Sequence, residues 1–266
     1  QGTITAILGS VCTRGQATKL DPALTPSPPA VDPRSPAIVD PAAPASESSR
    51  ARTGGSVLLR ALAVGLCYAN SRHGPFLLDD PLPGKALEFA TRPLVWASFA
   101  LNRALSGGET WSYHAFNALA HLLCGLALLG VLRRTLALAA PVLEPRTRAG
   151  LALTVTLLWL CHPLQTSAVT YISQRAETLA GLAYLGTLYG HLRALDSPAW
   201  RWRVLSLSSL ALGFMTKEII ATAPALMLLT EVVLVPGKPL ENLRQRWRFH
   251  ALVAATIMVS CGPRMI

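Results

Sequence analysis

The sequence predicts an all-α protein, a polytopic transmembrane helical bundle behind a disordered leader, on three observations. Of its 266 residues, 51% are hydrophobic and only 14% charged, whereas a soluble domain is about a quarter charged. The mean hydropathy is +0.39. Water-facing surface needs ionised groups and lipid-facing surface excludes them, so this shortage of charge predicts a lipid bilayer as partner. Finally, long apolar runs alternate with short polar ones from Arg52 onward, and the cations fall mostly between the runs. The net charge of +10 forms no continuous basic stripe with interleaved aromatics, so no nucleic-acid partner is expected. Cys12, Cys67, Cys124, Cys161 and Cys261 are isolated, and all but Cys12 lie in apolar segments as small buried hydrophobes would. Their spacing suggests neither a metal site nor a disulfide framework.

Residues 1–54 are rich in Pro, Ala, Ser and Thr and lack the apolar periodicity needed to bury a core. They form the expected leader, read as a tail or as an artefact of gene assignment or excision. Residues 55–266 form the membrane region, with about six to seven expected spans. A helix needs about 20 apolar residues to cross a bilayer. Segment one, about 54–70, is slightly short unless Arg60 snorkels to the interface. Segment two covers about 112–132 and ends in Arg133 and Arg134; segment three, about 149–164, closes on Cys161-His162-Pro163, where proline stops or kinks a helix. Segment four spans about 177–193. Segments five (about 203–216) and six (about 219–235) are separated by Thr216-Lys217-Glu218, and a seventh begins near Phe249 and breaks off at Ile266.

Positive charges orient these spans. Arg133, Arg134, Arg146 and Arg148 lie between segments two and three; Arg193, Arg201 and Arg203 between four and five; Lys238, Arg244, Arg246 and Arg248 after six. The positive-inside rule makes those connections cytoplasmic. Alternation then places the Asp79-Asp80 loop, the His162 to Glu177 loop and the Thr216 to Glu218 turn together on the other side.

Those three outer connections hold the candidate chemical residues. Adjacent carboxylates repel, so Asp79 and Asp80 suit a general base or a cation site; alternatively they are a solvated loop with a helix cap after it. Arg175 and Glu177 open segment four, where burial in lipid is costly unless they face a cavity or each other; an ordinary interfacial pair is the plainer account. His162 is a ligand or base, or a capping residue before Pro163. Lys217 is long enough to meet a phosphate at headgroup level, or else pairs with Glu218 at a tight turn. Arg92 shares the outer loop of the aspartates and is a further candidate for an anionic group. Tyr113, His114 and Asn117 are weaker candidates, and Trp111 with Tyr113 matches an interfacial aromatic belt. Together, an acid and phosphate-binding cations at the membrane surface suit attack by an acceptor hydroxyl on a lipid-linked phosphosugar. Asp80 or Asp79 would take the proton, and Lys217, Arg92 or Arg175 would stabilise the departing lipid phosphate.

The blocks GPFLLDD from Gly74, RPLVWASFALNRALSG, YHAFNALAHLLCGLALL, HPLQTSAVTYISQRAETLAGLAYL and LALGFMTKEIIATAPALMLL occur in order over roughly residues 55–260. In this order and spacing the chain resembles the amino-terminal membrane part of the TMTC-type, transmembrane and tetratricopeptide-repeat-containing O-mannosyltransferases and their bacterial relatives. These belong to the GT-C class of membrane glycosyltransferases. The resemblance implies transfer of a sugar, mannose, from a polyprenyl- or dolichyl-phosphate carrier to an acceptor protein outside the cytoplasm, with inversion and without a nucleotide sugar. It implies that Asp79 or Asp80 matches the acidic motif of the first loop and Lys217 the lysine that contacts the carrier phosphate, while Arg175 and Glu177 match the QRAE block. Family members continue into further membrane helices and tetratricopeptide repeats of about 34 residues, so the expectation is an incomplete form.

Other functions use the same charges: a transporter of a lipid-linked substrate, for which no internal repeat is visible, or a catalytically silent membrane anchor of a repeat protein. A bacterial inner membrane and the endoplasmic reticulum both fit the charge pattern, with the Ala/Arg/Pro-rich composition leaning to the former. No cofactor is identified beyond the lipid-linked donor, and the acidic pair leaves a divalent metal open.

Overall fold

A computed structural model describes residues 47–76, 80, 92–197 and 199–261, which all lie in one compact unit, Ser46–Ile266. Asp79 and residues 1–46 of the expected leader lie outside the described residues.

Within the described residues every regular element is helical, as expected of an all-α chain. Helix α1 runs Glu47–Tyr68. Helix α2, Pro93–Ser106, carries Pro93 in its first turn, where the missing N–H costs nothing. It ends at Gly107, whose φ of 63° suits a residue without Cβ. Helix α3, Thr110–Ala139, is the longest, and α4 covers Pro145–Leu160. A short stretch follows, made of a 3-10 turn Pro163–Gln165, the one-turn α5 at Thr166–Thr170 and a second 3-10 turn Ile172–Gln174. Helix α6, Arg175–Asp196, and α7, Trp200–Phe214, form a hairpin. The 3-10 turn Glu218–Thr222 leads into α8, Ala223–Leu234. Helices α9, Pro239–Gln245, and α10, Trp247–Cys261, complete the order.

Helix α6 is central, packing on α3 and on α7, while α4 and α1 pack on the other flank of α3 and α10 packs on α7. Small residues permit the close approach. A Cβ on Gly190 would lie 2.7 Å from the Ser206 main-chain nitrogen and 2.8 Å from the Trp202 carbonyl, so α6 touches the backbone of α7 there. The Ser206 hydroxyl donates to the Thr187 carbonyl across the same seam at 2.9 Å. Gly190→Val therefore forces the hairpin apart. The expected cost is about 1–3 kcal/mol, read as a lowered thermal unfolding midpoint in detergent, whereas Gly150→Ala, with nothing within 4 Å of the added carbon, leaves the midpoint unchanged or higher.

Three differences from the sequence expectation have physical causes. Helix α2 stands where no element was expected, because its buried positions Val95, Ser98, Phe99 and Asn102 keep helical spacing with two polar members and so break an apolar pattern. Arg60 is 1% exposed, enclosed by protein rather than reaching outward. Cys124 is buried as expected, but Cys67 and Cys161 are exposed. Only α3, among the described residues, is both long and apolar enough to cross a bilayer by length and composition. Helices α4, α7, α8 and α10 have 16, 15, 12 and 15 residues. Their outward faces are nonetheless apolar, with Leu158 of α4, Val204 of α7, Val233 of α8 and Met258 of α10 all exposed, as is Leu66 of α1.

Candidate active site

The three connections that the charge pattern grouped on one side meet at one end of the bundle. The Ser173 N–H donates to Asp80 Oδ1 at 2.8 Å, joining the first connection to the second. The Leu94 N–H donates to the Met215 carbonyl at 3.2 Å, joining the first to the third. Lys217 pairs with Glu177, joining the third to the second. Glu177 and Lys217 therefore act on each other, in place of the expected Arg175–Glu177 or Lys217–Glu218 partnerships; Glu218 is exposed and makes no ion pair among the described residues.

Asp80 is 1% exposed and faces the 3-10 turn that feeds α6. Two residues beyond Ser173, Arg175 is fully buried, and its guanidinium makes four hydrogen bonds to α2 and α3. Its Nε donates to Asn117 Oδ1 at 2.8 Å, Nη1 to Asn102 Oδ1 at 2.7 Å and to Ser98 Oγ at 3.3 Å, and Nη2 to the Tyr113 carbonyl at 3.1 Å. Its plane lies 4.3 Å from the ring centroids of both Phe99 and Phe116. Asn117 in turn donates to the Val169 and Tyr171 carbonyls. This network fixes the turn that presents its N–H to Asp80. Ser98 and Asn102 were missed in the sequence because they sit on the unexpected α2; their spacing of four, with Arg92 before them, is the signal that would have located that helix.

Arg92 directly precedes α2, and its side chain has no partner among the described residues. The backbone bond from Leu94 to Met215 brings the Arg92 main chain close to the strand-like Lys217. His162 is exposed, and its Nδ1 accepts from the Leu164 N–H at 3.2 Å. It caps the Pro163–Gln165 turn, in accord with the capping alternative. Tyr113 contributes its carbonyl, His114 bonds the Gly74 carbonyl through Nε2 at 3.2 Å, and both are buried. Among the described residues no group of three or more His, Cys, Asp or Glu could hold a metal ion.

Beside the Lys217–Glu177 pair a groove of about 340 Å³ runs between α6 and the Glu218–Thr222 turn, walled by Ala180, Gly181, Tyr184, Leu185 and Ile219. Glu177 stands at its edge and also lines a neighbouring cavity of about 120 Å³ with His121, Trp159 and Gln165. The site thus combines a held carboxylate, an ion-paired lysine with a further arginine near in the backbone, and an apolar groove opening beside the lysine.

Comparison with known proteins finds several similar chains. The chain is 34% identical over 170 residues, 53% of its length, to protein O-mannosyl-transferase TMTC1 of Mus musculus, and covers 17% of that protein. It is 31% identical over 193 residues to protein O-mannosyl-transferase Tmtc2 of Drosophila melanogaster, covering 70% of this chain and 19% of the relative. To protein O-mannosyl-transferase TMTC3 of Mus musculus it is 25% identical over 217 residues, with 70% and 22% covered. The chain thus spans about a fifth of the length of the curated relatives it matches. No family model matches, and neither does any solved structure. The curated relatives that the chain matches at 25–34% identity are all named TMTC-type protein O-mannosyl-transferases, and this similarity supports that family for the chain.

Proposed function

We propose that this chain is the membrane part of a glycosyltransferase that moves mannose from a polyprenyl- or dolichyl-phosphate carrier to a protein hydroxyl on the non-cytoplasmic side. The bundle would be polytopic, sitting in the endoplasmic reticulum or a bacterial inner membrane. The observation that carries this reading is that the three connections bearing Asp80, Glu177 and Lys217, far apart in sequence, are tied to one another by direct bonds. The apolar outward faces supply the lipid contact.

In this reaction the acceptor oxygen attacks the anomeric carbon, the bond from that carbon to the carrier phosphate breaks, and the hydroxyl proton passes to Asp80. Lys217 and Arg92 offset the charge that develops on the leaving phosphate. Arg175 is committed to Asn117, Asn102, Ser98 and Tyr113, so it holds the site rather than the phosphate. Glu177 keeps Lys217 in place until the phosphate displaces it. The apolar groove along α6 is suited to the prenyl chain.

The test supplies membranes containing the full-length protein with labelled polyprenyl-phosphate mannose and, separately, with labelled nucleotide mannose. Transfer to protein from the lipid-linked donor alone is expected; transfer from the nucleotide sugar, or from neither, overturns the donor assignment. Lys217→Gln is expected to lower the transfer rate by about 10²–10³-fold with no more than about 1 kcal/mol lost in stability, because both partners are partly solvated. An unchanged rate would remove Lys217 from the reaction.

A further inference from the structure

The opposite end of the bundle carries a second cavity, of about 110 Å³, that the transfer reaction does not use. It is lined by His191 of α6, Arg203 of α7, and Gln245, Arg246, Arg248 and Phe249 around the start of α10. His191 is fully buried with its ring parallel to Phe249, centroids 5.9 Å apart. By strict geometry neither ring nitrogen has a hydrogen-bond partner, and the Met227 main chain lies beside the ring. A buried polar group left without a partner is costly and calls for an explanation.

The charges around the cavity are unbalanced. Glu231 is fully buried and commits both carboxylate oxygens, accepting from Arg246 Nη1 at 3.0 Å and meeting His250 Nε2 at 3.0 Å. Arg246 is thereby fixed at the cavity wall. Arg203 and Arg248 are exposed and make no ion pair among the described residues. Arg134 and Asp196, also at this end, satisfy each other at 2.6 Å. Three guanidiniums and an imidazole with open donor capacity therefore converge on a space large enough for one tetrahedral anion.

The surroundings indicate where that anion sits. Trp200 and Trp247, at the starts of α7 and α10, are 73% and 59% exposed at this same end. Exposed tryptophans at helix ends mark the headgroup level of a bilayer, and basic pockets between helices on the cytoplasmic side suit anionic headgroups. We propose that this cavity is a binding site for a phosphate group, presented by an anionic phospholipid headgroup of the cytoplasmic leaflet. Arg203 and Arg248 supply the exposed charge, Arg246 the oriented guanidinium and His191 a ring N–H to a phosphate oxygen. The proposal is independent of the transfer activity.

The experiment uses the full-length protein in neutral detergent and follows its thermal unfolding midpoint with dioctanoyl phosphatidic acid, dioctanoyl phosphatidylcholine or inorganic phosphate. The variants are Arg203→Gln/Arg248→Gln and, as a control, Lys238→Gln/Arg244→Gln, which removes two exposed cations outside the cavity. Phosphatidic acid is expected to raise the midpoint by several degrees in the wild type and the control. In Arg203→Gln/Arg248→Gln the half-saturating concentration rises about tenfold or more, as expected for two lost charge-assisted bonds. The same discrimination with inorganic phosphate supports the phosphate site with a free anion as its source; a response to phosphatidic acid alone supports the headgroup. Equal loss in both double variants marks diffuse surface attraction and overturns the proposal, as does the absence of a shift with every probe.

Discussion

Replacing Asp80 by Asn is expected to abolish transfer, by about 10²–10⁴-fold if Asp80 is the proposed general base, and to leave the protein folded. The geometry explains both halves of that expectation. The contact between Asp80 Oδ1 and the Ser173 N–H needs only an acceptor oxygen, and the Asn amide oxygen provides one. What Asn cannot do is take a proton from the acceptor hydroxyl. The unfolding midpoint should therefore hold while the rate collapses, and the donor KM should change little because the proposed carrier contacts fall to Lys217 and Arg92. Asp80→Ala removes the acceptor as well and is expected to lose midpoint and rate together. Asp79, outside the described residues, is the internal comparison: Asp79→Asn retains transfer if Asp80 is the base. Full transfer in Asp80→Asn with loss in Asp79→Asn would move the role one residue back.

That the three connections bearing Asp80, Glu177 and Lys217, far apart in sequence, share one end of the bundle was legible in the sequence, because charge bias acts on whole connections and survives errors in helix boundaries. At the opposite end Arg134 and Asp196, from two of the three connections expected to be cytoplasmic, lie together, as do Arg203, from the second of them, and Arg246, from the third. Helix boundaries were less legible. Segment two was ended at Arg133 and Arg134, but α3 continues to Ala139 because charged side chains do not stop a helix when Arg134 has Asp196 to meet. Segment six reads as one run, yet its first four residues belong to the 3-10 turn Glu218–Thr222 that directly follows Lys217, which pairs with Glu177. Least legible were the side-chain partners. Arg175 has a carboxylate two positions away in sequence, but residues i and i+2 do not share a helix face. Its actual partners lie on α2 and α3, out of reach of any local pattern.

Arg175→Lys is expected to be nearly as damaging as removal of the side chain, with a loss of about 3–5 kcal/mol in stability. The charge is kept, so electrostatics alone would predict tolerance. The fork is what matters: three nitrogens make four hydrogen bonds to two other helices, and the guanidinium carbon lies 4.3 Å from the ring centroids of both Phe99 and Phe116. A lysine ammonium is a point charge with three donors and no plane to stack. It leaves at least one of Asn117 Oδ1, Asn102 Oδ1 and the Tyr113 carbonyl buried without a donor, at about 1–3 kcal/mol each. Because the same network fixes the Ile172–Gln174 turn, the Ser173 N–H shifts from Asp80 and transfer falls along with the midpoint. Three variants then separate three roles: Asp80→Asn loses rate alone, Lys217→Gln loses rate through the donor, and Arg175→Lys loses stability and rate together. An Arg175→Lys protein with an unchanged midpoint and a raised donor KM would instead make Arg175 a ligand of the carrier phosphate, and the buried network would have to open to admit it.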